Sequence, residues 1–448
     1  MNEISKYLKK ELKLDINVDV RVRSFEQENF KIELFFLSSM VDAHLVVYLV
    51  ESINSVNFNK INFNQLAALM IHSQDDKNRL LIDIFEGNVV IVLENGSSYV
   101  IDVKKFPTRA ISYPEVEKSV RGSKDSFTEN IVDNIALIRR RIKDSDLNIE
   151  MLTISKISKM SVCLLYLDRD NKVINELKQR INNINLESMI MTDRALEEQL
   201  FRQHCYIVPL VRYTERPDVA SINIIKGKVV ILVDTSSNAI ITPISIFDHL
   251  KNVEEYKENL IVGSFTKTLR LIGTLISIFL VPLFIAYNSN DSFDNGLITA
   301  DKIEFNNEFI FEVISISLVL EILRIAIVHT PNTLISALSL LAAIVLGDVS
   351  LKLGIFSAET LLVCSIAIVC NFATPSYELS LANRLISFLL IIATCFFGVT
   401  GFLISLIILF IYLVSIKVFD VPYLYPFCPF DYKKFINLFI RHKDDLKK

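Results

Sequence analysis

Glu312, Glu321 and Arg324 lie inside FIFEVISISLVLEILRIAIV (309–328), a stretch that is otherwise apolar and long enough to be a membrane helix. A charge at membrane depth costs several kcal/mol unless it is paired or wetted. Glu321 and Arg324 are three residues apart, so a helix places them on one face, where they can pair. Glu312 is nine residues from Glu321, half a turn out of phase, which puts it nearer the interface. Two readings follow. The helix either lies as a collar with its charges among headgroups, or lines a water-filled ion path. In the second case a ring of Glu321 carboxylates, one from each subunit of an oligomer, would concentrate cations.

Two further polar clusters lie earlier in the chain. Arg139, Arg140 and Arg141 close a predicted helix that Thr128 would cap and whose stripe is Ile131, Ile135, Ile138 and Ile142. They either complement that helix's C-terminal dipole as solvated cations, or form a contact surface for lipid headgroups or another subunit. The second cluster is Thr214-Glu215-Arg216-Pro217-Asp218. Pro217 drives Arg216 out of helical conformation, which predicts a rigid extended or turn element. There Glu215 and Arg216 would brace one subdomain on the other.

Enzyme chemistry has no foothold in these residues. No GxSxG, P-loop or GxGxxG occurs. The six histidines are dispersed, without HExxH or a metal-ligand pair, and the six cysteines form no CxxC. The expectation is a non-enzyme with no cofactor, no metal and no disulfide framework, its cysteines free and buried. A net charge of −4 argues against a nucleic-acid partner, which would need a clustered basic surface.

The elements that must position these residues follow from an asymmetry. The 448-residue chain is 51% hydrophobic, with a mean hydropathy of +0.40. Residues 1–268 carry 72 charged side chains; residues 269–416 carry only 15. That split excludes a single soluble globule and a disordered chain. It predicts a soluble α/β part followed by an α-helical polytopic membrane domain. In the first part strand-like runs alternate with helical ones: FKIELFFLS (30–38), then DAHLVVYLVESI (42–53); SVCLLYLD (161–168), then NKVINELKQRI (171–181). Two hairpins, GNVVIVLENGSSYVIDV (87–103) and GKVVILVDTSSNAIITPI (227–244), share Gly-x-Val-Val-Ile followed by a small polar turn. The reading is two similar α/β subdomains, 1–110 and 111–262, then a helical membrane domain over 263–416 and a basic tail over 417–448.

The apolar segments are 269–287, with Pro282 expected to kink it, then 309–328, 332–350, 358–374 and 385–416, the last split into a hairpin by Gly398-Val399-Thr400-Gly401. Six spans follow if the last run crosses twice, and four if two segments are re-entrant or lie in the interface. Lys251, Lys257 and Lys267 precede the first segment, Arg270 stands at its start, and Arg384 falls in a later loop. The loop 288–308 is acidic through Asp291, Asp294, Asp301, Glu304 and Glu308. The tail holds Lys417, Lys433, Lys434, Arg441, Lys443, Lys447 and Lys448. The positive-inside rule then places both termini in the cytoplasm. The start, MNEISKYLKKELKLD, has no apolar run behind its lysines and so does not read as a signal peptide.

Several long stretches resemble the GerA-type spore germination proteins, A subunit. They are VRGSKDSFTENIVDNIALIRRRIKD (120–144), YTERPDVASINIIKGKVVILVD (213–234), NFATPSYELSLANRLISFLL (371–390) and SIKVFDVPYLYPFCPF (415–430). TPISIFDHLKNVEEY (242–256) and FATPSYELSLANR (372–384) most resemble the family's stage V sporulation protein AF branch. The resemblance spans roughly residues 20–430. It implies a sporulation protein of the inner spore membrane that forms a homo-oligomeric ion channel or gating subunit among other germination membrane subunits and membrane lipid. The AF branch implies an accessory that amplifies ion release. The alternative is a non-conducting scaffold that docks other germination or dipicolinate-transport proteins. The family brings no catalytic residues to carry across.

Overall fold

The computed structural model describes residues 3–27, 30–55, 71–74, 76–105, 117, 122–167, 172–184, 187, 192–201, 206–252, 258–289 and 303–440. Lys257, the loop acids Asp291, Asp294 and Asp301, and the tail residues Arg441, Lys443, Lys447 and Lys448 lie outside them. The chain divides into two compact units. One comprises residues 1–203 and 211–243, the other residues 204–210 and 244–447.

The first unit is built on two five-stranded antiparallel sheets of the same order. The first half contains α1 (Glu3–Glu11), β1 (Val20–Gln27), β2 (Phe30–Leu37), α2 (Ala43–Ser55), β3 (Ile71–Ser73), α3 (Lys77–Phe85), β4 (Asn88–Leu93) and β5 (Ser98–Asp102), with strand order β1-β2-β4-β5-β3. The second half runs through α4 (Ile131–Arg139), β6 (Leu147–Ile154), β7 (Met160–Leu167), α5 (Lys172–Asn182), α6 (Thr192–Phe201), β8 (Arg212–Thr214), α7 (Pro217–Ile225), β9 (Val229–Val233) and β10 (Ala239–Thr242). Its order is β6-β7-β9-β10-β8. The two hairpins picked out by sequence, β4–β5 and β9–β10, occupy the same place in the two sheets.

β4 is buried along its whole length, and its neighbours show why. Val90 and Val92 face a core made with α1 and α3 through Leu8, Leu80 and Ile84. Val89, Ile91 and Leu93 face the opposite core, made with α2 through Val46, Leu49 and Ile53. A strand covered on both faces favours apolar side chains on both, so after Asn88 it reads as a continuous Val/Ile/Leu run. Gly96 closes the hairpin at φ 98°, with its N–H donating to the Leu93 carbonyl.

Two local expectations need correction. The helix expected to start at Thr128 starts at Ile131, because Asn130 takes the cap and accepts the Val132 N–H. Asn134 meanwhile holds Thr128, accepting its backbone N–H at 2.8 Å. The segment around Pro217 does not continue as an extended element. Arg216 is extended, but Pro217 is the first residue of α7, where its missing N–H costs nothing and its fixed φ suits a helix.

The second unit is helical. Its elements are α8 (Leu260–Asn288), α9 (Asn307–His329), α10 (Asn332–Ala342), α11 (Ala358–Asn371) and α12 (Tyr377–Ser415), then the short β11 (Lys417–Val418) and β12 (Val421–Pro422) and α13 (Tyr432–Phe439). α10 continues through a π-helical stretch, Ala343–Val349, to Lys352. Among the described residues three helices are long and apolar enough to cross a membrane: Leu260–Asn288, Thr333–Lys352 and Tyr377–Ser415. α9 carries Glu308, Glu312, Glu321 and Arg324, and α11 has 14 residues, so neither meets that test.

The 39-residue α12 is not one straight rod. At Gly398 the backbone takes φ 60° and ψ −144°, a region essentially reserved for glycine. Beyond it the chain turns back. A Cβ on Gly401 would overlap the Ala393 carbonyl oxygen, whereas eight residues of straight helix span about 12 Å. The run 377–415 is thus two helices, 377–397 and 399–415. α8 passes through Pro282 without a break and packs on α11 and α12. Gly273 lets α8 approach α11 closely, since a Cβ there would meet Ala373 at 3.2 Å. Val281, Ile285, Val313, Ile316, Ala367 and Ile391 form the shared core.

Contacts sort the helix ends of this unit into two sets. At one end Gly398 packs on Ser289, and Ser357 donates to Glu312. At the other, His249 Nδ1 lies 3.0 Å from Ser376 Oγ, and Lys267 donates to the Asn437 carbonyl.

Candidate functional site

α9 presents its charges along two faces. Asn306 starts the helix by accepting the Phe309 N–H at 2.8 Å. One turn on, Glu312 accepts from both the backbone N–H (2.6 Å) and the hydroxyl (2.7 Å) of Ser357, the residue that caps α11. A carboxylate at a helix N-terminus meets unsatisfied N–H groups and the positive end of the dipole. Glu312 is therefore a clasp between α9 and α11. The structure does not bring it to Glu321.

Glu321 and Arg324 do meet. Arg324 Nε donates to Glu321 Oε1 at 2.9 Å, as their spacing predicts. The other carboxylate oxygen is taken from a different helix: Arg384 Nε donates to Glu321 Oε2 at 3.1 Å. Arg384 does not sit in a loop; it lies in the first half of α12. The loop expectation fails because FATPSYELSLANR contains its own helix start. Ser376 caps it by accepting the Leu379 N–H, so the helix opens at Tyr377. Arg384 is the residue that sequence reasoning missed at this site. The signal available was its seven-residue spacing from Tyr377 along a capped helix, which places it about two turns inside the helix rather than ahead of the apolar run 385–416.

The Glu321, Arg324 and Arg384 side chains are 28%, 7% and 12% exposed. Two guanidinium groups and one carboxylate leave the cluster with a net charge of +1. The carboxylate is held at both oxygens, so it is not free to attract a cation while α9 and α12 stay in this contact. Removing one partner would leave a poorly solvated charge, which costs about 3–5 kcal/mol in a buried pair. Beside the cluster is a cavity of about 310 Å³ lined by Glu321, Arg384, Ser317, Ser387, Ile322 and Phe388.

The earlier arginines have separate partners. Arg139 is fully buried and ties the two halves of the first unit together. Its Nε and Nη2 reach the two Asp19 carboxylate oxygens at 3.2 and 3.3 Å, and Phe85 lies under its guanidinium at 5.2 Å. Beside this pair, Ile149 N–H donates to Asn17 at 2.7 Å and Val18 N–H to the Ile149 carbonyl at 3.1 Å. The solvated-cation reading thus fails for Arg139, whose long side chain turns inward to a buried carboxylate. Arg140 is exposed. Arg141 binds Asp125 and Ser123.

Arg216 is 1% exposed and forms a bidentate pair with Asp218 at 3.0 and 2.7 Å. It also donates to the carbonyls of Glu117 and Ser123. Burial pulls its pKa down, but the Asp218 carboxylate outweighs it and raises the net value. The Glu215 carbonyl accepts from Phe127 N–H at 2.7 Å and Ser126 at 3.0 Å. All these partners lie within the second half of the unit. Glu215 and Arg216 therefore hold its entry segment to the start of α7, while the brace between halves is Arg139–Asp19.

The family model described as Bacillus/Clostridium GerA spore germination protein matches residues 6–447. Stage V sporulation protein AF of Bacillus subtilis (strain 168) is 33% identical over 448 aligned residues, which cover 97% of this chain and 91% of that protein. Spore germination protein KA of the same organism is 27% identical over 440 residues, covering 94% and 80%. Among solved structures, the N-terminal domain of the A subunit of the Bacillus megaterium spore germinant receptor GerK3 aligns with a TM-score of 0.41 and 23% identity. The alignment covers 53% of this chain and 92% of that one.

Proposed function

The chain belongs to the Bacillus/Clostridium GerA spore germination protein family, and from that premise we propose that it is an oligomeric ion-conducting or gating subunit of a germination complex, acting in ion release. The observation that carries this reading is the Glu321–Arg324–Arg384 cluster between α9 and α12. Three charges held together in a helical, largely apolar unit are costly to keep and so mark a functional element. In the resting state the arginines hold the carboxylate. Parting α9 from α12 would release Glu321 toward a symmetry axis, where several copies would form a cation-attracting ring. The subunit would sit in the inner spore membrane with both termini cytoplasmic, beside other germination membrane subunits. Basic residues before α8 and in the tail support that orientation.

Planar-bilayer recording from the purified full-length protein tests it. Cation current that falls or loses selectivity in Glu321→Gln, with unchanged protein level, is the expected result. Absence of current from correctly assembled protein would replace the channel with the non-conducting scaffold.

A further inference from the structure

The cavity beside the cluster has features that a purely internal latch does not need. Arg384 commits only its Nε to Glu321; among the described residues its two Nη groups have no hydrogen bond. Ser387, one turn along the same helix, is 2% exposed, yet among the described residues its hydroxyl has no partner. Both residues line the cavity. A buried unpartnered hydroxyl next to uncommitted guanidinium donors, in a cluster of net charge +1, is built to receive an anion. The volume, about 310 Å³, is at the lower end of ligand pockets.

The walls and the depth indicate which anion. Leu318, Ile322, Leu381 and Leu385 line the cavity and are 46%, 56%, 37% and 49% exposed. In a bilayer such side chains face acyl chains. Arg324 lies five residues from the end of α9 and Arg384 seven from the start of α12. At 1.5 Å per residue the cluster lies about 8–10 Å in from the helix ends, a depth from which a long arginine side chain reaches toward a headgroup by snorkelling. Basic pockets at this depth between helices take lipid headgroups.

We propose that this cavity binds the phosphate of an anionic phospholipid, with Arg384 Nη and Ser387 Oγ as donors and the acyl chains lying along the exposed leucines and Ile322. The phosphate competes with Glu321 for Arg384, so occupancy loosens α9 from α12 and couples lipid composition to that helix contact. This rests on the membrane placement in the preceding reading, not on conduction.

The test is native mass spectrometry of the detergent-purified full-length protein with phosphatidylglycerol, phosphatidylcholine or inorganic phosphate added. Phosphatidylglycerol should be retained about tenfold better than phosphatidylcholine, whose phosphate could accept the same hydrogen bonds but whose choline cation is repelled by a cluster of net charge +1. Arg384→Gln should abolish that preference. Glu321→Gln, which removes the competing carboxylate, should strengthen it several-fold. A purely structural cluster would move both variants in the same direction, and that result overturns the proposal. So does equal retention of the two lipids, or displacement of phosphatidylglycerol by equimolar inorganic phosphate, which would make the site one for a free anion. If Arg384→Gln does not fold, Ser387→Val decides: unchanged retention overturns the proposal, and a several-fold loss upholds it. Bilayer current recorded on the same preparations separates the two ideas, since lipid retention without current leaves the site standing and removes the channel.

Discussion

Arg384 of α12 donates its Nε to the Glu321 carboxylate of α9 at 3.1 Å, across 63 residues of chain. The opposite oxygen of the same carboxylate is occupied by Arg324. One acid thus sets the relation of two helices and is paired with both of its partners. Under the proposed function it acts on an ion only after the helices part.

Reversing this pair should reveal its coupling. Arg384→Glu places two carboxylates together and should lower the melting temperature of the detergent-purified protein. The double variant Glu321→Arg/Arg384→Glu restores one acid to two bases and should recover much of the loss. A double-mutant cycle from thermal unfolding should give about 1–3 kcal/mol of coupling; a value near zero would remove the latch.

Asp19 and Arg139 should behave as a buried ion pair. Either Asp19→Ala or Arg139→Ala leaves one charge without a partner in the core of the first unit and should cost about 3–5 kcal/mol. Asp19→Asn combined with Arg139→Met removes both charges and should cost less than either single change. Urea unfolding of residues 1–262, which should express as a soluble α/β protein, measures all of them. Insolubility of the unmutated fragment would count against its independent folding.

Glu33 supplies a pH dependence in the same fragment. Burial alone would raise its pKa, but hydrogen bonds from Lys9 and Ser5 and the Lys9 charge outweigh it and hold the carboxyl below its usual 4.5. A depressed carboxyl favours the folded state above the unfolded pKa, and that contribution is lost as pH falls through the lowered folded value. The stability difference between the parent and Glu33→Gln should therefore be constant near neutrality and shrink as pH drops below about 4. A difference that grows on acidification would contradict the assigned sign.

Gly398 should not tolerate a side chain. Gly398→Ala must hold a Cβ at φ 60°, ψ −144° and 3.2 Å from Ser289 Oγ, at a cost of about 1–3 kcal/mol. The same geometry has a topological consequence. Ser289→Cys and Thr400→Cys should be labelled by an impermeant thiol reagent from one side of the membrane, and Asp420→Cys only from the other. Labelling of all three from one side would exclude a crossing by residues 399–415.

Much of the architecture was legible because its causes are local. The shift from a charged to an apolar chain near residue 268 follows from transfer free energies that each side chain carries with it. The Val/Ile runs of β4 and β9, the Asn-Gly turn and the three-residue spacing of Glu321 and Arg324 express strand, turn and helix periods that span a few residues. Helix starts were less legible, as at Asn130 and Tyr377, because several polar residues compete to cap and small differences in hydrogen-bond geometry decide among them. The partners that charged residues find far along the chain were not legible. Nothing near Arg139 announces Asp19, nothing near Arg384 announces Glu321, and nothing near Glu312 announces Ser357. A buried charge pairs with whichever opposite charge the packed helices and sheets bring within about 3 Å, and that distance exists only once surfaces far apart in the chain have closed on one another.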